Sequence, residues 1–405
     1  MTGLWRNREF NLLWTSQSLS DLGTTIAQLA VPLLVLDRTR SAVLAGLVGS
    51  VAMVAKVLTR LPAGVLADRV DRRRAMLTCD SVRLAASVTL AAAVLAGRAG
   101  LAVIIVVVVL DAICSAMFGT VEHASLRSIV PRAQLPGAVA RNEARAYGSS
   151  LAGPPLGGLL FGLGHALPFV GNAVSYLLSL AGVALIRKPL QAEREQEPPG
   201  HAAALAEGLR FTFANPFLRA VLIIAAPLNF ALNGAVFTII VTLQRHRVEP
   251  AVIGLTETIV GVGGLLGAFL APVLQRRMLF PQLIRFICWA AVGVLVASAW
   301  LTASLAAAVP VALAVFLGPA CNAALFGYQA AITPDHLQGR VLSVIFLAAM
   351  SASAAAPLLA GVAVTAWGSR VTILLFAAAV AVAALTASTA DGIRTMRPLE
   401  EVRPA

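Results

Sequence analysis

Charge is what this sequence most lacks. Only 12% of its 405 residues are Asp, Glu, Lys or Arg, where a soluble domain carries about a quarter. So little polar surface cannot cover a water-soluble globule of this size, and a soluble enzyme is excluded. Aromatic residues are scarce too, at 6% with 5 Trp and 3 Tyr, which argues against the aromatic-girdled alternation of an outer-membrane barrel. The 4 cysteines, Cys79, Cys114, Cys288 and Cys321, form no CxxC pair and fall in or at the ends of apolar stretches. They read as packing residues, with neither a disulfide framework nor a metal site indicated. No phosphate-binding glycine loop or nucleophile motif occurs, so no cofactor is expected and energy must come from a gradient.

What is present is apolar. Hydrophobic residues make up 59% of the chain and the mean hydropathy is +0.84, in runs long enough to cross a bilayer at about 20 residues each. Ala, Val, Leu and Gly dominate, which suits helices packed through small residues. The fold class is therefore all-α, a polytopic membrane protein. The formal net charge of +12 does not point to nucleic acid, because the basic residues are scattered in short loops with few aromatics among them. It points to membrane orientation.

Apolar stretches bounded by charge, Gly or Pro predict twelve spans, near 12–36, 42–66, 75–97, 101–121, 138–161, 165–186, 217–243, 252–274, 282–303, 305–327, 341–366 and 369–390. The extended polar stretch between the sixth and seventh reads as a linker. The expected organisation is a six-helix bundle over 1–190, a cytoplasmic linker over 191–215 and a second bundle over 216–405. The N-terminus lacks the small-residue site of a cleavable signal. Most Lys and Arg fall on the side that carries both termini, which predicts cytoplasmic termini in the cell's inner (plasma) membrane. The halves echo each other at one constant offset: Gly64 and Gly267, Arg73 and Arg276, Pro131 and Pro334, Pro154 and Pro357, Gly158 and Gly361. A parallel repeat of two bundles with a cavity near mid-membrane is a transporter plan.

After span two, Ala63 to Arg74 reads AGVLADRVDRRR. This resembles the loop signature of the major facilitator superfamily, G-x-x-x-D-[RK]-x-G-[RK]-[RK]. Gly64, Asp68, Arg69, Arg72 and Arg73 match, and Asp71 stands where the family has its second Gly. The variant is similar to the branch that holds macrolide and other drug exporters and the enterobactin siderophore exporter. Ser20-Asp21-Leu22-Gly23, Pro131 to Leu135, Gly153 to Gly158 and Gly339-Arg340-Val341 extend the resemblance along effectively the whole chain. It implies that the Asp68 cluster latches the cytoplasmic side shut. Ala271 takes the Asp68 position in the second half, so one latch is expected rather than two.

Ionised side chains inside a span cost several kcal/mol unless paired or wetted. Asp80, Arg83 and Glu122 lie toward the cytoplasmic ends of their spans and read as a structural network. Asp21, Lys56 and Asp111 lie deeper. Gln17, Asp21, Thr24 and Gln28 repeat at helical spacing and form the polar stripe of a cavity-lining helix. Lys56, one turn from Arg60, is expected to pair with Asp111 or Asp21, in a structural or a coupling role. In the second half, Asn229, Asn233 and Asn322 are the substrate-cavity candidates beside Gln17 and Gln28, among Phe230, Phe237, Phe316, Phe326 and Trp300. Glu257 joins Asp21 and Asp111 as a proton-coupling candidate.

The expected function is proton-coupled export of an amphipathic small molecule, such as a drug, secondary metabolite or siderophore, by a monomer whose partners are that substrate, protons and the lipid bilayer. A proton-coupled nutrient symporter and a transporter-like sensor without turnover are the alternatives.

Overall fold

The computed structural model describes residues 4–190, 201–394 and 396; the side chains of Trp5, Leu61, Arg132 and residues 64–69, 201–205 and 335–336 fall outside the described set. In the first half the helices are α1 (Arg8–Thr39), α2 (Ala42–Arg69), α3 (Arg72–Leu95), α4 (Leu101–Ile129), α5 (Leu135–Leu163) and α6 (Leu167–Leu185). Then come α7 (His201–Ala214), α8 (Pro216–Arg245), α9 (Pro250–Arg277), α10 (Phe280–Ser298), α11 (Ala308–Ile332) and α12 (Asp335–Thr389).

Local chemistry sets the helix ends. Asn7 caps α1 by accepting from Phe10 N–H at 3.2 Å, and Arg40 closes it in the left-handed region at φ 55°. Asn215 caps α8, with Pro216 in its first turn where the missing N–H costs nothing. At 55 residues and about 1.5 Å per residue, α12 would overreach a bilayer core of about 30 Å more than twofold. Gly368, at φ 79° and ψ 169°, breaks it into two spans. Only glycine reaches that backbone region readily.

Ten helices among the described residues are long and apolar enough to cross a membrane, with 337–389 taken as one. Dividing that element at Gly368 gives eleven, and α5 supplies the twelfth. Its first half carries Arg141, Glu143 and Arg145, and its uncharged second half, 146–163, is rich in Gly, Pro and Ser, so it is less apolar than the others. The segment read as a linker is partly helical. Its residues 191–200 lie outside the described set, while α7 packs on the start of α12, with Gly208 against the Arg340 backbone and Glu207 paired to Arg340.

The chain forms two compact units. Unit 1 comprises Met1–Arg40, Val51–Gln196 and Val248–Thr258, and unit 2 comprises Ser41–Ser50, Glu197–Arg247 and Ile259–Ala405. Unit 1 packs around Phe10, Leu13, Met76, Phe118, Ile129 and Val183. Unit 2 packs around Leu218, Val221, Ile284, Ile287, Val341 and Ile345. Each unit takes in the first turns of one helix from the other half of the sequence, and the sequence repeat marks where those turns seat. In unit 1, Gly254 of α9 meets the Pro154 carbonyl and the Pro155 backbone, and Gly158 meets Pro250. In unit 2, Gly46 of α2 meets the Pro357 carbonyl, and Gly361 meets Ala42. Thr258 donates to the Leu151 carbonyl at 2.9 Å, and Leu358 N–H donates to Ser50 Oγ at 3.0 Å. The repeated Gly and Pro are therefore packing sites.

A methyl group at Gly158 would sit 2.6 Å from the Pro250 carbonyl carbon, and one at Gly361 2.8 Å from that of Ala42, whereas Gly119 faces open space. Gly158→Ala and Gly361→Ala should each destabilise the detergent-purified protein by about 1–3 kcal/mol through overpacking. Gly119→Ala should not, because alanine is the better helix former by about 1 kcal/mol. Thermal melting of the three variants checks this, and equal melting temperatures would refute the close-approach reading.

Candidate functional site

The interior of unit 1 holds two arginine-centred clusters built from five helices. In the first, Arg145 of α5 reaches two acids. Its Nη1 and Nη2 grip Glu122 of α4 at 2.8 and 3.2 Å, as a two-pronged fork. Its Nε lies 2.8 Å from Asp21 Oδ2 of α1, an ion contact without the alignment of a hydrogen bond.

In the second cluster, Arg83 of α3 donates through Nε to Asp111 of α4 at 3.0 Å and through Nη2 to Thr24 of α1 at 3.0 Å. Its Nη1 stands 3.8 Å from Asp80, one turn back on α3. Tyr176 of α6 lies beneath the guanidinium, 4.2 Å from ring centre to Arg83, and donates its hydroxyl to Asp111 at 2.7 Å. The cluster continues through Ser179, which donates to Asp80 Oδ2 at 2.5 Å and accepts from Gln17 Nε2 at 2.7 Å. Asp80 Oδ1 is buried without a hydrogen-bond partner.

The two clusters share one design. Each arginine serves an outer acid and an inner acid: the side chain of Asp21 is 36% exposed and that of Asp111 26%, against 5% for Glu122 and 0% for Asp80. Each cluster thus sets two carboxylates against one guanidinium, and each arginine faces an inner acid as well as an outer one.

Of the α1 stripe read as cavity-lining, Gln17 is buried on Ser179, Asp21 and Thr24 meet the two arginines, and Gln28 is exposed outside both clusters. The expected Lys56 pairing is corrected. Asp111 is taken by Arg83 and Asp21 by Arg145, and among the described residues Lys56 forms no ion pair. The planar guanidinium of Arg83 satisfies two acids, a hydroxyl and an aromatic face together, which a lysine point charge cannot do. Arg60 is exposed at the next turn of α2.

Arg145 and Tyr176 were not singled out by the sequence. The signal available was a charge count: Asp21, Asp80, Asp111 and Glu122 in spans one, three and four outnumber Arg83 there, so a further cation had to come from another span.

In unit 2, Asn229 and Asn233 are exposed on α8. Asn229 Nδ2 donates to the Ala225 carbonyl at 2.9 Å, and Asn233 Nδ2 to the Asn229 carbonyl at 2.8 Å. Asn322 is exposed on α11. Phe230 meets Phe376 edge-on at 5.2 Å. Trp300, assigned to the same lining, instead stacks under Arg370 at 4.3 Å. Glu257 of α9 is half-buried, with no hydrogen bond or ion pair among the described residues.

Of the loop signature, the side chains of Gly64, Asp68 and Arg69 lie outside the described residues. The rest is well placed. Asp71 caps α3, its Oδ1 accepting from Arg74 N–H at 2.8 Å, which gives a structural reason for an acid where the signature has glycine. Arg72 donates to the carbonyls of Ala124 and Leu190 at 3.0 and 3.1 Å, and Arg73 to that of Ala184. These cations sit on carbonyls near the ends of α4 and α6, where the helix dipole favours them.

A family model described as transmembrane secretion effector matches residues 3–401. The chain is 28% identical to the multidrug efflux pump Tap of Mycobacterium tuberculosis H37Rv, covering 92% of this chain and 91% of the relative. It is 22% identical to macrolide efflux protein A of Streptococcus pyogenes, over 67% and 68% respectively. Among solved structures, a bacterial homologue of the human lysosomal transporter Spinster superposes with TM-score 0.75 at 16% identity, covering 98% of this chain and 100% of that one. A bacterial homologue of the iron transporter ferroportin gives 0.72 at 17%, covering 96% and 99%. At such identities the structural likeness shows the fold, that of the major facilitator superfamily.

The Arg83 cluster makes a quantitative expectation. In a double-mutant cycle, Asp111→Asn and Arg83→Gln should be non-additive by about 1–3 kcal/mol, while Asp111→Asn and Lys56→Gln should add to within about 0.5 kcal/mol. Thermal stability of the purified variants reads both cycles. Coupling to Lys56 instead of Arg83 would overturn the assignment.

Proposed function

The chain belongs to the transmembrane secretion effector family of the major facilitator superfamily, and on that premise we propose that it exports an amphipathic, drug-like small molecule in exchange for protons. The relatives' activities, multidrug and macrolide efflux, support export and a drug-like substrate. The observation that carries proton coupling is the sharing of Arg145 between Asp21, partly open, and Glu122, closed. Asp21 accepts a proton and Arg145 withdraws onto Glu122. On the opposite side Asp21 releases the proton and recovers the contact. Asp111 holds the equivalent outer position around Arg83 and is the second coupling candidate; Glu257, the third, has no arginine to exchange with. The substrate meets Gln28 from the first half and Asn229, Asn233 and Asn322 from the second, while Gln17 backs the Arg83 cluster through Ser179. The protein works as a monomer in the cell's inner membrane with both termini in the cytoplasm, its bundles spanning 1–190 and 216–405 about the 191–215 linker. Asp68 with Arg69, Arg72 and Arg73 holds the cytoplasmic side shut in part of the cycle.

Two measurements test this. In proteoliposomes, Asp21→Asn should lower proton-driven efflux by about tenfold or more while substrate binding and gradient-independent exchange persist, because only the proton-carrying step is removed. Proton uptake recorded beside efflux for Asp21→Asn, Asp111→Asn and Glu257→Gln identifies the coupling acid, and unchanged coupling in all three ends the antiport reading. Asp68→Asn should insert normally and transport poorly, since a neutral amide cannot hold the arginines as a carboxylate does. Normal transport at a normal amount of membrane protein would sink the latch.

A further inference from the structure

We infer that the four cysteines form two dithiol sites, one in each unit, and that each site takes a trivalent organic arsenical by holding its arsenic through both sulfurs. This holds whatever the protein exports. Cysteine is scarce, at 4 in 405 residues, yet none stands alone. The thiols of Cys79 on α3 and Cys114 on α4 interact directly, and so do those of Cys288 on α10 and Cys321 on α11.

Register accounts for the first pair. Arg83 Nε donates to Asp111 at 3.0 Å, which sets α3 against α4. One turn back along α3 stands Cys79, and one turn on along the antiparallel α4 stands Cys114. Cys79 belongs to the core of unit 1 and Cys114 packs on it, while Cys288 and Cys321 both belong to the core of unit 2. The second pair lies at the equivalent level of the equivalent helices: Cys79 is eighth in α3 and Cys288 ninth in α10, and Cys114 and Cys321 are each fourteenth, in α4 and α11. A cysteine used only as a small apolar filler has no reason to meet another. Here both pairs join the third and fourth spans of their halves.

Burial selects the chemistry. Among the described residues no group of three or more His, Cys, Asp and Glu side chains could hold a metal ion, so zinc lacks its four ligands. Two thiols suit a soft centre that needs only two sulfurs. Cys288 and Cys321 are 0% and 3% exposed, among Leu283, Ile284, Ile287 and Leu325, and neither a bare cation on its way in nor a charged adduct is tolerated in such surroundings. A monosubstituted arsonous acid, R–As(OH)2, is neutral on arrival and neutral when bound. Its two hydroxyls leave as water with the two thiol protons, two As–S bonds replace two As–O bonds, and arsenic stays trivalent. The product ties α3 to α4, or α10 to α11, through one atom. Cys114 is half-buried where the other three cysteines are buried, so the first site is the more open to this exchange.

The probe is phenylarsine oxide, which hydrates to the phenyl arsonous acid, added to the full chain in detergent micelles. Intact-mass spectrometry should find two arsenic atoms per chain, and all four thiols should be lost to maleimide titration in denaturant. Peptide mapping should find the bridges Cys79–Cys114 and Cys288–Cys321, the first forming faster. Dithiothreitol should release the arsenic and excess glutathione should not, because a single thiol cannot compete with a two-point hold. Cys114→Ala and Cys321→Ala should each halve the arsenic that survives glutathione, and the double variant should retain none. Mapping on the unsubstituted chain decides the matter where a variant fails to fold. No binding, arsenic held on single thiols and lost to glutathione, bridges between cysteines of different pairs, or glutathione-resistant binding in the double variant would overturn the inference.

Discussion

Everything in the first unit follows from the expense of a charge inside a membrane. An ionised group there must find an opposite charge, and the partner must come from another helix if it is to do more than decorate one. Arg83 therefore ties α3 to α1, α4 and α6, and Arg145 ties α5 to α1 and α4. The same contacts hold the bundle together and hold the site. Apolar packing alone gives helices in a membrane little reason to prefer one partner, since lipid tails are as apolar as leucine. The arginine clusters provide that preference, because a rotated or shifted helix would strand a guanidinium or a carboxylate.

Sharing one arginine between two acids changes what the cluster does. A simple pair leaves a bare guanidinium when its acid is lost. A shared arginine keeps a second acid, and of the two beside Arg145, Asp21 is the open one and Glu122 the closed one. Neither cluster is fully hydrogen-bonded: Asp80 Oδ1 has only its 3.8 Å ion contact with Arg83, and Arg145 Nε meets Asp21 without the alignment of a hydrogen bond.

How much of this was legible in the sequence depended on range. Helix positions were legible because span length and breakers are local properties, and Asn7, Asn215 and Gly368 act within a turn or two of where they stand. The repeat was legible because Pro154, Pro357, Gly158 and Gly361 return at one spacing, although their purpose, close backbone approach, needed coordinates. The α1 stripe was legible from its period. The partners were not. Lys56 and Asp111 were matched by depth, but a pair also needs the right azimuth on both helices, and five helices meeting at once fix azimuth only in three dimensions. Arg145 escaped because it sits near the polar beginning of α5, where a charge looks ordinary, and Asp71 because a departure from a signature says that something differs without saying what it caps.

The halves obey the packing rule alike and the charge rule unequally. Glycine and proline contacts recur in both units, since any two helices that must touch backbone to backbone need small residues at the crossing. Charge recurs in one unit only. Four acids and two arginines lie within the first, whereas α8, α10 and α11 contain no acid at all, and the one acid of α9, Glu257, falls in the turns that the first unit takes in. A bundle interior without acids makes few electrostatic demands on its own helices, and close approach at small residues has to align them. A bundle interior with shared arginines is demanding, because each guanidinium must meet groups from several helices at once. The interior of the first unit is thereby held to one arrangement by charge and packing together, that of the second by packing alone.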